Sequence, residues 1–163
     1  MIYQTPSSEA PLSQGDIIDL CPILLWEELT DASLFKPTEL KLRDVVMTQA
    51  CDLAQPRSNR VVVAIMHSAE DLVRQGILKA KTIVDQVRLH RVYGWYFLPS
   101  GAIPESIVDL RDLHTVPRRL LESLVSEGKR LGRIATPYRE HLAQHFASTY
   151  ARIGLPEPYQ TLP

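Results

Sequence analysis

Two cysteines, five histidines and a set of arginines toward the C-terminal end are the residue types in this sequence best suited to chemistry. Cys51 stands in Thr48, Gln49, Ala50, Cys51, Asp52, Leu53, at the end of an apolar run that begins at Val45. A strand that ends in polar and reactive types and then turns is a common place for a site. A thiolate at Cys51 would be a nucleophile if a nearby base stabilised it, and His67 and His90 are the histidines considered for that role. Asp52 works the other way, because its negative charge raises a thiol pKa. The plainer alternative treats Cys51 as a small buried hydrophobe and Asp52 as a residue that fixes the turn through its own backbone. Residue type favours the plainer one.

His141 and His145 are four apart on a predicted helix and share a face, a spacing that can hold a metal ion. The segment Arg139, Glu140, His141, Leu142, Ala143, Gln144, His145 has no glutamate between the histidines to serve as base, and a third ligand is not evident. A packing or solvated face is therefore expected, with no metal and no cofactor.

Arg118, Arg119, Lys129, Arg130, Arg133, Arg139 and Arg152 form a basic set. Arg130 and Arg133 come just before the N-terminus of the last predicted helix, where the backbone also favours an anion, so a phosphate or nucleic acid is a candidate ligand. Tyr138 adds a stacking surface. Residues 1–44 carry eight acids and three bases, a net of −5, while residues 118–154 carry seven bases and three acids, a net of +4. The simpler expectation is that these two ends attract each other. The seven glycines are scattered and form no phosphate cradle, which disfavours nucleotide hydrolysis by a P-loop.

Those residues need elements to position them. Gln14, Gly15 and Asp16 signal a turn into a strand at residues 17–20, read as short and at an edge because Pro22 follows. Residues 26–42, acidic and containing Pro37, read as a long loop or hairpin insertion anchored by Trp26. The apolar runs beginning at Val45 and at Asn59 read as paired strands covered on both faces, joined by turn chemistry at Asp52, Pro56 and Ser58. Ser68 caps a helix to residue 75, with Asp71 three positions on and Gly76 as the stop. Residues 84–89, 93–98 and 106–110 read as strands. Pro117 opens a helix carrying Leu120, Leu121, Leu124 and Val125. A last helix opens at Thr136 and Pro137, steps through Tyr138, Leu142, Phe146 and Tyr150, and is read as stopping at Gly154.

Length and composition fit one domain: 163 residues, 45% hydrophobic, net charge −1. The expected organisation is a loose lead-in over 1–13, a β-rich body over 14–116 and a helical tail over 117–163. The first ten residues hold no basic region and no apolar run, and no stretch approaches a membrane span. A cytoplasmic protein with reduced Cys21 and Cys51 and no membrane partner is expected.

Gly15, Asp16, Ile17, then Arg43, Asp44, Val45, Val46, Met47, Thr48, then Arg60, Val61, Val62, Val63, Ala64 resembles the opening of the PemK/MazF group. The resemblance covers residues 14–68. It implies a small SH3-like β-barrel, which together with the C-terminal pair of helices read above makes an α+β fold, and for many members a ribonuclease toxin of a toxin–antitoxin pair. Carried over by position, Arg43 would stabilise charge on the phosphate and Ser68 would be the second catalytic hydroxyl. Asp44 departs from the family's proline, the turn at Cys51 and Asp52 has no counterpart there, and the tail is extra. The tail and the Thr48-to-Leu53 segment also resemble a group of uncharacterised bacterial proteins that share Ser/Thr-Gln-x-Cys-Asp-Leu. The function expected is a non-catalytic binding module of a bacterial defence or toxin–antitoxin system, docking a partner protein or nucleic acid, with a homodimer allowed. The alternatives are RNA cleavage by Arg43 and Ser68, or thiol chemistry by Cys51 with a histidine such as His90.

Overall fold

The computed structural model describes residues 1–29, 34–55, 57 and 59–151. In chain order the elements are β1 (Tyr3–Gln4), β2 (Asp16–Leu29), β3 (Leu34–Val46), α1 (Ala50–Leu53), β4 (Arg60–Ser68), α2 (Ala69–Arg74), α3 (Ala80–Thr82), a π-helical turn (Ile83–Val87), β5 (Trp95–Leu98), β6 (Ser106–Pro117), α4 (Arg118–Ser126), β7 (Arg130–Ile134) and α5 (Tyr138–Tyr150). The architecture is mixed α and β. Seven antiparallel strands form one sheet in the order β1-β7-β2-β3-β4-β6-β5. The sheet draws on all three segments of the sequence, since β1 comes from the lead-in and β7 from the tail.

Among the described residues no backbone ladder closes the sheet. Its two edges are linked instead by a side chain, with the Tyr3 hydroxyl donating to the Pro99 carbonyl at 2.6 Å just beyond β5. Gly15 sits where three strands converge. Its N–H donates to Val46 O at 2.8 Å and its carbonyl accepts from Ile134 N at 2.9 Å. Its φ is +82°, and a Cβ there would stand 3.2 Å from the Ile134 carbonyl oxygen, so this position suits glycine.

Alternation along the strands explains the unbroken apolar runs. Ile17 and Val45 point to one face, where Tyr96, Val108 and Leu142 of α5 cover them. Ile18 and Val46 point to the other, beneath Leu121 and Leu124 of α4. A strand covered on both faces needs apolar residues at every position. Leu121 and Leu142 are essentially inaccessible, and each such burial stabilises the fold by about 1.5–3 kcal/mol. A third cluster holds Leu72 of α2, Ile83, Val87, Trp95 and Ile107.

Several local readings hold. Ser68 caps α2, its Oγ accepting from Asp71 N at 3.4 Å, and Gly76 follows with φ +72°. The strand from residue 59 pairs with β3 as expected, Val46 opposite Val63. Others need correction. The strand after Gly15 is neither short nor at an edge: β2 has 14 residues and lies between β7 and β3. Beyond Ile18 it leaves β7 and pairs only with β3, so Pro22 and Pro37 fall where one strand side is open and no ladder donor is lost. The hairpin alternative for residues 26–42 is the observed one. Residues 84–89 are not a strand. Ile83 and Val87 are buried four apart on a helical turn, and the β-branched Val84 and Val87 gave the misleading signal. The apolar run from Val45 stops being a strand at Val46, and Cys51 lies in α1 rather than at a strand end. Gly154, Pro56 and Ser58 lie outside the described residues, as does Arg152.

Candidate recognition cleft

The cleft begins where β3 ends. Met47 N and Thr48 N both donate to the Val62 carbonyl, at 2.8 and 3.3 Å, and Val62 N donates to Thr48 Oγ1 at 2.8 Å. The Thr48 hydroxyl thus stands in for a strand partner and lets the chain turn into α1 without stranding a buried donor. Gln14 Nε2 donates to Met47 O at 3.3 Å and holds the same turn from the β2 side. Across from this turn runs α5.

Between them lies a cavity of about 600 Å³. Met47, Val62 and Phe146 give it an apolar floor, Ala143 and Ala147 keep the helix wall low, and Gln14, Thr48, Gln49, Asp52 and Arg60 bring polar groups to it. Ligand sites typically have this volume, an apolar lining and a few convergent polar groups. The cleft holds three consecutive motif residues from the sequence analysis, Met47, Thr48 and Gln49, together with Asp52. Cys51 is exposed, and its thiol donates weakly to Gln49 Oε1 at 3.6 Å and Asp52 Oδ1 at 4.0 Å. His67 lies on β4 and His90 in the loop before β5, and neither is among the hydrogen-bond partners of Cys51.

The basic set is spent largely on internal ion pairs. Asp16 is fully buried. It accepts from Arg133 Nε at 2.6 Å, Arg133 Nη2 at 3.0 Å, Arg130 Nη1 at 3.3 Å and Ser13 N at 2.9 Å. The same arginines donate to the carbonyls of Ser7 and Pro11, clamping the N-terminal segment. The Arg130 side chain is only 5% exposed. Arg118 donates to Glu122 at 2.7 Å and to the Leu53 carbonyl at 2.8 Å, and Arg139 pairs with Glu140 at 2.6 Å. The Arg139 guanidinium and the Thr136 hydroxyl pull the Glu140 carboxyl down. Arg119 and Lys129 stand at the α4 surface and just past its end.

Arg43 donates to Asp19 at 3.0 Å. Arg43 is paired with Met66, so it shares a sheet face with Ser68, two residues farther along β4. Such diagonal neighbours stand about 7–8 Å apart. Behind Arg43, Asp44 points into the opposite core. It is fully buried, and among the described residues neither carboxylate oxygen has a hydrogen-bond partner. Burial pushes this carboxyl up to about 7, while the nearby Cys21 thiol pulls it weakly down from a geometry that falls short of a hydrogen bond. Burial, and then the Asp44 charge, push the Cys21 thiol up in turn.

His141 and His145 join a third imidazole, His90, which is distant from them in sequence. His90 stacks on Tyr96 at 4.5 Å and lies 4.7 Å from His141 and 5.8 Å from His145, ring centre to ring centre. His90 holds φ +53°, and its buried Nδ1 has no hydrogen-bond partner among the described residues. Burial, reinforced by the two neighbouring imidazoles, holds it down at about 4. The Tyr96 hydroxyl lies 3.1 Å from His141 Nδ1 and 3.2 Å from the Tyr138 carbonyl. His145 Nε2 lies 3.2 Å from the Val92 carbonyl, which can only accept, so that nitrogen carries the proton. Among the described residues no group of three or more His, Cys, Asp or Glu side chains is arranged to hold a metal ion. The cluster latches α5, one wall of the cleft, to the loop before β5.

No protein-family model matches this chain, and no curated protein matches it. Among the described residues no helix is long and apolar enough to cross a membrane.

Proposed function

We propose that this chain is a non-catalytic binding module that grips a segment of a partner protein in the cleft between the turn at residues 48–52 and α5. The cleft itself carries this reading. An apolar floor suits an inserted side chain, and the carboxamides of Gln14 and Gln49 suit peptide N–H and C=O groups. Asp52 and Arg60 together suit a ligand with polar groups of either sign. A nucleic-acid backbone needs a surplus of positive charge. Here Asp52 opposes it at the cleft, while Asp16, Glu122 and Glu140 engage most of the basic set. We read the curled sheet as an incomplete SH3-like barrel of the PemK/MazF kind, acting in a bacterial defence or toxin–antitoxin system. The Gly15-Asp16 opening of β2, the Arg43 entry into the part of β3 that pairs with β4 and the Tyr3 to Pro99 contact support that reading.

The test is selection from a displayed peptide library, with binders measured against the protein and against Ala143→Trp. Ala143 is half-buried in the cleft wall, so tryptophan fills the space without removing core. Selected peptides are expected to bind the natural chain and to lose affinity at least about tenfold for the variant. Equal binding to both would place recognition elsewhere.

One observation keeps RNA cleavage as a second reading: Arg43 and Ser68 share a sheet face at a diagonal. Single-stranded RNA incubated without metal distinguishes the two. Cleavage that Arg43→Ala abolishes would favour the second reading, and intact RNA removes it.

A further inference from the structure

The arm formed by the outer parts of β2 and β3 breaks the usual pattern of an antiparallel sheet. At the base of the arm one face is covered: Ile23, Leu25 and Leu42 pack with Leu120, Leu121 and Leu124 around α4. The opposite face should then be polar, because it meets water. Instead the register puts Leu24, Trp26, Pro37 and Phe35 there, Trp26 opposite Pro37 and Phe35 opposite Glu28. Trp26 is 71% exposed, Leu24 66% and Phe35 60%. A contiguous set of large apolar side chains on an exposed face marks an interaction surface, and tryptophan is the type most often central to one.

The charges on this face identify the occupant. Glu28 stands at the outer end, opposite Phe35, and Lys41 stands at the base, opposite Pro22. Both are exposed and share the face of Trp26, their levels six residue steps apart along β2, about 20 Å at strand spacing. An acid and a base therefore stand at opposite ends of the apolar patch, with Glu39 beside Leu24 as the one charge between them. Such an arrangement of the ends is complementary to itself when reversed.

We infer that a second copy of this chain docks on the arm, the two arms antiparallel about a two-fold axis. That arrangement brings Lys41 of each copy to the level of Glu28 of the other, with Leu24, Trp26 and Phe35 packed between. It is the isologous geometry of a closed dimer, in which one patch serves both sides. Glu39, the third charge on the face, stands opposite Leu24 and meets the level of the other copy's Trp26 rather than its own counterpart. A parallel arrangement would stack Glu28 on Glu28 and Lys41 on Lys41, and like charges in contact are unfavourable.

Analytical ultracentrifugation of the full chain tests this. The natural chain is expected to sediment as a dimer. Trp26→Ser is expected to weaken association about tenfold or more with an unchanged far-UV spectrum, because the side chain it removes is outside the core. Glu28→Lys and Lys41→Glu are each expected to weaken association, and the double exchange to restore it. A monomer at every soluble concentration, or a dimer that Trp26→Ser leaves intact, overturns the inference. So does a double exchange no tighter than the two single ones.

Discussion

Arg133 holds Asp16 through two parallel hydrogen bonds, Nε to Oδ1 at 2.6 Å and Nη2 to Oδ2 at 3.0 Å, joining β7 to the first residue of β2. The pair is buried, and Arg130 completes it from the same strand. Removing one member of a buried pair leaves the other charge uncompensated, at a cost of about 3–5 kcal/mol. Asp16→Ala is expected to lower the unfolding free energy by about that amount. Arg133→Lys keeps the charge but loses the two-pronged geometry and is expected to cost less. Urea unfolding of the three proteins measures it. A loss below about 1 kcal/mol for Asp16→Ala would mean that the pair behaves as a solvated surface bridge.

The His90 cluster sets an acid limit on the latch of α5. Above pH 6.5 the imidazole is neutral whether folded or unfolded, and it contributes no pH dependence. Between 6.5 and about 4 the unfolded chain takes up a proton that the folded chain refuses, so stability falls as pH falls. His141, His145, Tyr96 and Tyr93 face this cluster, and none is a carboxylate that would offset the new charge. His90→Asn is expected to flatten the slope, since asparagine tolerates positive φ. Unfolding midpoints across that range, with and without the substitution, check it.

Asp44 gives a slope of the opposite sign. Below 3.8 its carboxyl is protonated in both states and this group takes nothing from stability. From 3.8 to about 7 the unfolded chain ionises while the folded chain keeps the proton, so stability falls as pH rises. Asp44→Asn is expected to remove this component. The two windows overlap, so each variant must be compared with the natural chain at every pH rather than the natural chain with itself.

The two thiols are expected to separate cleanly. Cys51 is exposed and Cys21 is fully buried. A thiol reagent should label one cysteine rapidly in the native protein and the second only on unfolding. Cys51→Ser should abolish the fast phase and leave peptide binding unchanged. Loss of binding in that variant would return Cys51 to the site.

What the sequence made legible was local. The Ser68 cap, the turn at Gly15 and the helical spacing of Leu121 and Leu124 are encoded within a few residues of each other, and each is found. The start of the last helix was readable, but its face was not, and its expected stop at Gly154 lies outside the described residues. Leu142, His145 and Thr149 are its buried residues, while Tyr138 and Tyr150, read as part of one stripe, are exposed. Long-range relationships were not legible. Arg130 to Ile134 is too short and too mixed to signal a strand, and its place beside β2 is set by pairing across the chain. His90 meets His141 and His145 only because the fold brings them together. The opposite charges of the two ends were the one non-local signal available, and Asp16 with Arg130 and Arg133 is where that attraction is realised.

Titration of a selected peptide into isotope-labelled protein tests the cleft most directly. The largest chemical-shift changes are expected on the side-chain amides of Gln14 and Gln49, on the Met47 methyl and on the ring of Phe146. Changes centred instead on Arg118, Arg119 and Lys129, with the cleft signals unmoved, would contradict that expectation.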